Sequence, residues 1–195
     1  MPATVLFMSM SLDGFITGPD DGPGNGLGDG GHRLHAWLAD GGEDPASYRP
    51  ADASGAVFDE LMATGAVVVG RRTFEIAGSW NGDHHDDVPI FVLTRRPEGA
   101  RAWPNVTYVT DVAEAMARAK EAAGGRDVLV HGARTAQLAL AAGALDELEI
   151  HQVPVLLGEG RRLFEGLGRE HIELELARVI DAPGVTHLRY RVRPV

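Results

Sequence analysis

Across 195 residues the chain carries 28 acidic against 18 basic side chains, a formal net charge of −10, with 44% hydrophobic residues and no cysteine. That balance fits one well-cored globular domain, residues 1–195; it argues against a general nucleic-acid binder, and the missing thiols exclude disulfides and thiolate zinc sites. No apolar run is long enough to span a bilayer, and the N-terminus lacks a basic region followed by an apolar stretch, so a cytoplasmic protein without a membrane partner is expected.

Thr4 to Ser9 is an apolar run that reads as the first strand, and Asp13-Gly14 is a turn signal at its mouth. From Gly18 to Gly31 comes a loop of glycine, proline and aspartate, read as mobile and able to fold over a ligand. It contains Gly26-x-Gly28-x-x-Gly31. The dinucleotide fingerprint needs a strand directly before it, and none is present, so this match is discounted. A helix is expected over His32–Asp40 and a second loop over Gly41–Gly55. Val57 to Thr64 reads as a helix capped by Ser54 or Gly55 and stopped by Gly65.

The centre of the chain is Val67 to Glu75, VVVGRRTFE. Three β-branched residues form a buried strand, Gly70 ends it, and helical spacing begins at once. Free amides at a helix start beside Arg71 and Arg72 make a place for a phosphate; the competing reading is a strand–helix junction with two solvated arginines. Asn81 to Asp87 is a polar loop. Pro89 to Thr94 is another buried strand, followed by Arg95-Arg96. Two strand ends, each delivering an arginine pair, can converge on one phosphate, since ligands of open α/β sheets gather at the carboxyl ends of the strands.

Val106 to Val109 is a short strand. Asp111 and Glu114 form a capping box for a helix that Gly124-Gly125 ends. Asp127 to His131 is a further strand, followed by Gly132-Ala133 and a helix from Thr135 to Ala142, repeating the central geometry. His131 reads either as a packed histidine or as a ligand contact. Leu145 to Val153 is a strand. A half-exposed antiparallel hairpin closes the chain about Asp181 to Gly184, with Glu175 opposite Arg191 and Glu173 opposite Arg193; its arginines read as surface structure. The whole is α/β with a mainly parallel sheet and a C-terminal antiparallel ribbon. His32-x-x-His35 lacks a third ligand, and the run Asp83-His84-His85-Asp86-Asp87 reads as a solvated loop, so no metal is expected. Trp37 and Trp80 are pocket walls or core.

Four motifs, MSLDGFI at residues 10–16, VVVGRRTFE at 67–75, VLVHGARTA at 128–136 and VPVLLGEGRRLFEGL at 153–167, occur in an order that resembles the dihydrofolate reductase-like superfamily. The chain looks closest to the reductase domain of the bifunctional riboflavin-biosynthesis deaminase–reductase and its stand-alone bacterial relatives. The resemblance implies a three-layer αβα fold, a homodimer, and NADPH bound across the strand ends. It assigns Gly70, Arg71, Arg72 and Thr73 to the 2′-phosphate and pyrophosphate, and Thr94 and Arg95, with Leu93 before them, to the adenosine end. Gly132, Ala133, Arg134 and Thr135, with His131 before them, take the pyrophosphate at the next helix start. Asp13 is the acid expected near the nicotinamide pocket, to orient the substrate; its other reading is a turn-forming aspartate. The implied activity is hydride transfer to a small heterocyclic or carbonyl substrate, pyrimidine- or pterin-like. The alternatives are a non-catalytic nucleotide-binding module and authentic dihydrofolate reduction. Folate reductases carry an acid on their first helix, whereas this chain has His32 to Leu38 there and no carboxylate before Asp40.

Overall fold

The computed structural model describes residues 2–38, 48–168 and 171–193. One eight-stranded sheet dominates, in the order β5-β4-β3-β6-β1-β7-β10-β9. Its strands are β1 (Thr4–Ser11), β3 (Ala66–Gly70), β4 (Ile90–Leu93), β5 (Val106–Val109), β6 (Val128–His131), β7 (Glu147–Val153), β9 (Leu174–Ala182) and β10 (Val185–Val192). From β5 to β7 every neighbour is parallel, and β10 and β9 add an antiparallel ribbon at one edge. A separate antiparallel pair joins β2 (Phe15–Thr17) to β8 (Arg161–Arg162).

Alternation along the central strands builds two cores. Leu6, Val68, Val130 and Ala66 face one side, where α3 (Val112–Ala122) and α4 (Ala133–Ala141) cover them with Ala115, Met116, Ala119, Ala136 and Leu140. Val5, Phe7, Val67, Val69 and Leu129 face the other, under Phe74 of α2 (Arg71–Ile76) and Leu61 of α1 (Asp52–Met62). Helices on both faces make the expected three layers. The chain returns from β5 to insert β6 between β3 and β1, so the helix after β3 and the helix after β6 lie on opposite faces. That divergence opens a crevice at the carboxyl ends of β3 and β6.

Several local expectations change. The helix expected from Val57 starts five residues earlier, at Asp52, with Ala51 as an N-cap that makes no side-chain bond. Ser54 lies inside it and bonds to His187 (Oγ to Nε2, 3.0 Å). Glu114 supplies half a capping box: its amide donates to Asp111 Oδ1 (2.8 Å), but its carboxylate turns forward to Arg118. Where a helix is expected over His32–Asp40 the chain begins with a 3-10 turn, Gly31–His35; residues 39–47, the end of that stretch and the first seven residues of the second expected loop, lie outside the described residues. The hairpin register places Glu175 opposite Arg191 as expected. Arg189, however, is no surface arginine: it is half-buried and bonded to Glu147 (2.6 Å) and Glu60 (3.0 Å).

The glycines at 18–31 serve the loop's own backbone. A Cβ on Gly18 would lie 1.8 Å from the Asp29 carbonyl oxygen, and one on Gly28 (φ +68°) would lie 2.3 Å from that of Gly18. The loop closes on itself through Gly18 N–H to Leu27 O (2.8 Å) and Asp29 N–H to Pro19 O (2.8 Å). Among the described residues no helix is long and apolar enough to cross a membrane.

Candidate functional site

A cleft of about 2440 Å³ occupies the crevice at the β3 and β6 ends. This is larger than the ~300–1,000 Å³ of an ordinary small-ligand pocket, and has room for a dinucleotide together with a second molecule. Three neighbouring strand ends supply one wall. β3 delivers Gly70, Arg71, Arg72 and Thr73; β4 delivers Leu93, Thr94 and Arg95, then Arg96; β6 delivers His131, Gly132, Ala133, Arg134 and Thr135. All of these strand-end residues named from the sequence therefore line one cavity.

Their arrangement follows from close packing. Gly132 (φ +91°) leaves β6 with its α-carbon against Thr73, where a Cβ would sit 2.7 Å from the Thr73 hydroxyl. Gly70 stands close to Thr135 in turn: a Cβ there would lie 3.1 Å from Oγ1. Two glycines thus let the starts of α2 and α4 pass side by side. Thr135, in the first turn of α4, is 1% exposed, and its hydroxyl has no hydrogen-bond partner. A buried polar atom left unsatisfied costs about 1–3 kcal/mol, and here it lies beside free amides of a helix start, where an anion is favoured.

The arginines differ in how they are held. Arg71 bonds Glu75 (2.7 Å) and the Arg96 carbonyl (2.6 Å). Arg72 donates to the Asp21 carbonyl (2.6 Å), and its guanidinium pairs with the Asp21 carboxylate (3.1 Å). Arg161 pairs with the same carboxylate (3.1 Å). Burial works against the charge of Asp21, but these two guanidinium groups hold its carboxyl below the usual range. Arg95 and Arg134 form no ion pair among the described residues.

Asp13 is not part of the cleft wall. Its carboxylate accepts from Ser11 Oγ (2.6 Å), Leu157 N–H (3.2 Å) and Gly158 N–H (2.7 Å). The Ser11 hydroxyl and those amides hold its carboxyl below the ordinary value. This aspartate pins the loop after β7 to the turn after β1, which is the turn-forming reading.

The same cleft is also lined by aromatic rings that the sequence did not reveal as a group. Trp37, Trp80, His35, His84, His131 and His151 all face it. Trp80 packs on His84 with ring centroids 4.6 Å apart, and Trp37 on His151 at 4.6 Å. Trp37 donates to Ser9 Oγ (2.9 Å). Behind it, His151 Nδ1 and His187 Nδ1 are 2.9 Å apart. Trp80 is held by a left-handed turn in which Gly78, Ser79, Trp80, Asn81 and Gly82 all have positive φ. For the non-glycine members that costs about 1 kcal/mol or more each. The run at 83–87, read as a solvated loop, is corrected here: His84 and His85 turn inward, because the strained turn before them aims the chain at the β6 end. Burial takes His35 and His187 down to about 4, and His151 well below its ordinary value. Among the described residues, no three His, Cys, Asp or Glu side chains are grouped to hold a metal ion.

Residues 2–188 match the family model of the RibD C-terminal domain. The uncharacterized protein YwjB of Bacillus subtilis (strain 168) is 29% identical over 170 residues, which is 86% of this chain and 85% of that one. The fold is shared with solved structures, two of them from Shewanella and Thermotoga. One is a putative riboflavin biosynthesis protein from Shewanella sp. PV-4, with 23% identity, a TM-score of 0.68, and coverage of 98% of this chain and 99% of that one. The other is a diaminohydroxyphosphoribosylaminopyrimidine deaminase/5-amino-6-(5-phosphoribosylamino)uracil reductase from Thermotoga maritima, with 15% identity and a TM-score of 0.63, of which the match spans 98% of this chain and 57% of that one.

Proposed function

From a chain that belongs to the RibD C-terminal domain family, we propose an NADPH-dependent reductase acting on a small, electron-poor heterocycle or carbonyl compound of pyrimidine-like type. The observation that carries the cofactor half of this reading is Thr135: a buried hydroxyl without a partner, at a helix start inside a cleft lined by arginines. A diphosphate oxygen supplies the missing acceptor. Gly132, Ala133, Arg134 and Thr135 would hold the pyrophosphate, Gly70 would give the backbone room to approach it, and Thr73 would stand beside it at the start of α2. Arg71, Arg72 and Arg95 would take the 2′-phosphate, with Leu93 and Thr94 beside the adenosine and His131 at the inner end. An added dianion, matched by several guanidinium groups, favours NADPH over NADH.

Bound there, the cofactor supplies hydride; the protein positions both molecules and excludes water. Trp37 and Trp80 offer flat faces against which a planar heterocycle can stack. Asp13 acts on the site only through the loop it anchors. A cytoplasmic homodimer, implied by the resemblance, belongs to the same proposal, and sedimentation velocity tests it.

The test is a screen of pyrimidine, pterin and quinoid acceptors, followed by loss of nicotinamide absorbance. Oxidation of NADPH by a pyrimidine-like acceptor is the expected result. NADPH binding without oxidation by any acceptor would instead make the chain a nucleotide-binding module.

A further inference from the structure

Two imidazoles join the cleft wall to the antiparallel side of the sheet. His151 on β7 and His187 on β10 stand opposite each other in the strand register, and their Nδ1 atoms are 2.9 Å apart. Both side chains are buried. Trp37 packs on both rings, with centroids 4.6 Å and 4.9 Å away. Its own N–H goes to Ser9 Oγ, so it fixes the imidazoles without competing for their nitrogens. His187 Nε2 lies 3.0 Å from the hydroxyl of Ser54 on α1. His151 Nε2 has no hydrogen-bond partner among the described residues. Unlike the Thr135 hydroxyl it is not sealed off, because the His151 ring lines the cleft.

These contacts decide where the protons sit. Burial favours the neutral form of both rings, taking His187 down to about 4 and His151 well below its ordinary value, and Arg178 acts on each in the same direction. A neutral ring carries one N–H, and a nitrogen–nitrogen contact uses one proton. Two arrangements meet both conditions. In the first, Ser54 donates to His187 Nε2, His187 Nδ1–H donates to His151 Nδ1, and the proton of His151 sits on Nε2. In the second, every bond is reversed. His151 Nδ1–H donates to His187, His187 Nε2–H donates to Ser54 Oγ, and His151 Nε2 is a bare lone pair.

Ser54 selects between them. It is buried, and His187 is the one hydrogen-bond partner of its hydroxyl among the described residues. The second arrangement leaves the hydroxyl proton in the interior without an acceptor. That favours the first arrangement about tenfold or more.

We propose that His151 is a specificity-determining residue of the cleft: its Nε2–H, set in the donor form by Ser54 through His187, hydrogen-bonds an acceptor atom of the substrate, a carbonyl oxygen or an unprotonated ring nitrogen. This deepens the reductase reading and rests on it. Ser54 and His187 do not touch the substrate; they are positioning residues. The bond orients the heterocycle, and no proton leaves His151. A molecule that offers N–H at the same place sets two donors against each other and is rejected.

The first test is long-range NMR on the full chain without cofactor, labelled with 15N at histidine, which reads each tautomer directly. The expected spectrum shows His151 as the Nε2–H form and His187 as the Nδ1–H form. Ser54→Ala removes the group that sets the direction, so both arrangements become populated and the two rings shift together. His151 in the Nδ1–H form in the wild type, or a spectrum that Ser54→Ala leaves unchanged, overturns the proposal. Uracil and pyridine, which offer carbonyl oxygens and a ring nitrogen, then probe recognition. At least one is expected to move the His151 Nε2 resonance and to bind about tenfold more weakly to His151→Phe; no response to either probe overturns the recognition role. In turnover with a pyrimidine-like acceptor, His151→Phe raises the KM of the acceptor about tenfold and leaves that of NADPH in place, while His151→Gln, whose amide also donates, recovers part of the loss. An unchanged acceptor KM in His151→Phe overturns the role as well. Failure of the wild-type chain to bind NADPH overturns the reductase reading alone, because the tautomers and the probe contacts are read without cofactor.

Discussion

Thr135 separates binding from folding more cleanly than any other residue in the cleft. Its hydroxyl contributes no hydrogen bond to the protein, yet it is enclosed. Replacing it by valine keeps the shape and removes the unsatisfied oxygen. Thr135→Val is therefore expected to stabilise the chain by about 1 kcal/mol in urea unfolding while weakening NADPH about tenfold. A residue that served only packing would move both quantities in the same direction. The buried His187 has a different signature. Burial holds His187 at about 4 in the folded chain, against 6.5 for a free imidazole. Between those values the unfolded chain binds a proton that the folded one refuses, so stability falls as pH drops from about 6.5 to about 4 and levels off below. His187→Gln removes one titrating group and keeps hydrogen-bonding capacity, so its stability–pH curve should be shallower across that window, by about 3 kcal/mol at most. Equal slopes for the two proteins would show that His187 is not held neutral.

At the level of single elements, the strand ends were the legible part. Gly70-Arg71-Arg72-Thr73 and Gly132-Ala133-Arg134-Thr135 each follow a run of buried β-branched or aliphatic residues, and a strand that breaks at glycine into a helix has few other geometries. The histidine wall was illegible for an equally definite reason. His84 and His85 sit among aspartates, and the left-handed turn at 78–82, whose two glycines and Asn81 signal a turn but not its direction, aims them inward. Asp13 looked the same as a site residue or a turn residue until its carboxylate was seen to take the 157–158 amides. The C-terminal ribbon hid a second feature. Alternation pairs Glu175 with Arg191, but it cannot show that Arg178 reaches across to Glu60 and to Glu149, which is fully buried. Burial raises the Glu149 carboxyl above its usual range despite Arg178 and Arg189. Removing one partner of such a group strands a charge, so Arg178→Met should cost about 3 kcal/mol. Adding Glu149→Gln should recover part of that loss. A single variant as stable as the wild type would mean that the network carries no net energy.

For the molecule as a whole, the α/β class, the mainly parallel sheet and the C-terminal hairpin followed from buried strand runs alternating with helical spacing, together with a polar alternation near the end. The strand order did not follow from them. Insertion of β6 between β3 and β1 depends on which apolar faces fit, and that order makes the crevice: it sends α2 and α4 to opposite faces and brings three arginine-bearing strand ends to one wall. The outer strand β9 leaves Leu174, Leu176 and Val179 exposed at the free edge of the sheet, which is where the proposed homodimer would find apolar surface. The central claim is that this wall is built for a dinucleotide carrying an extra phosphate. Isothermal titration of the wild-type chain with NADPH and NADH, side by side at low salt, tests it most directly. The account expects NADPH to bind at least about tenfold more tightly, a difference of roughly 1.4 kcal/mol. Equal affinities, or no binding of either, would contradict it.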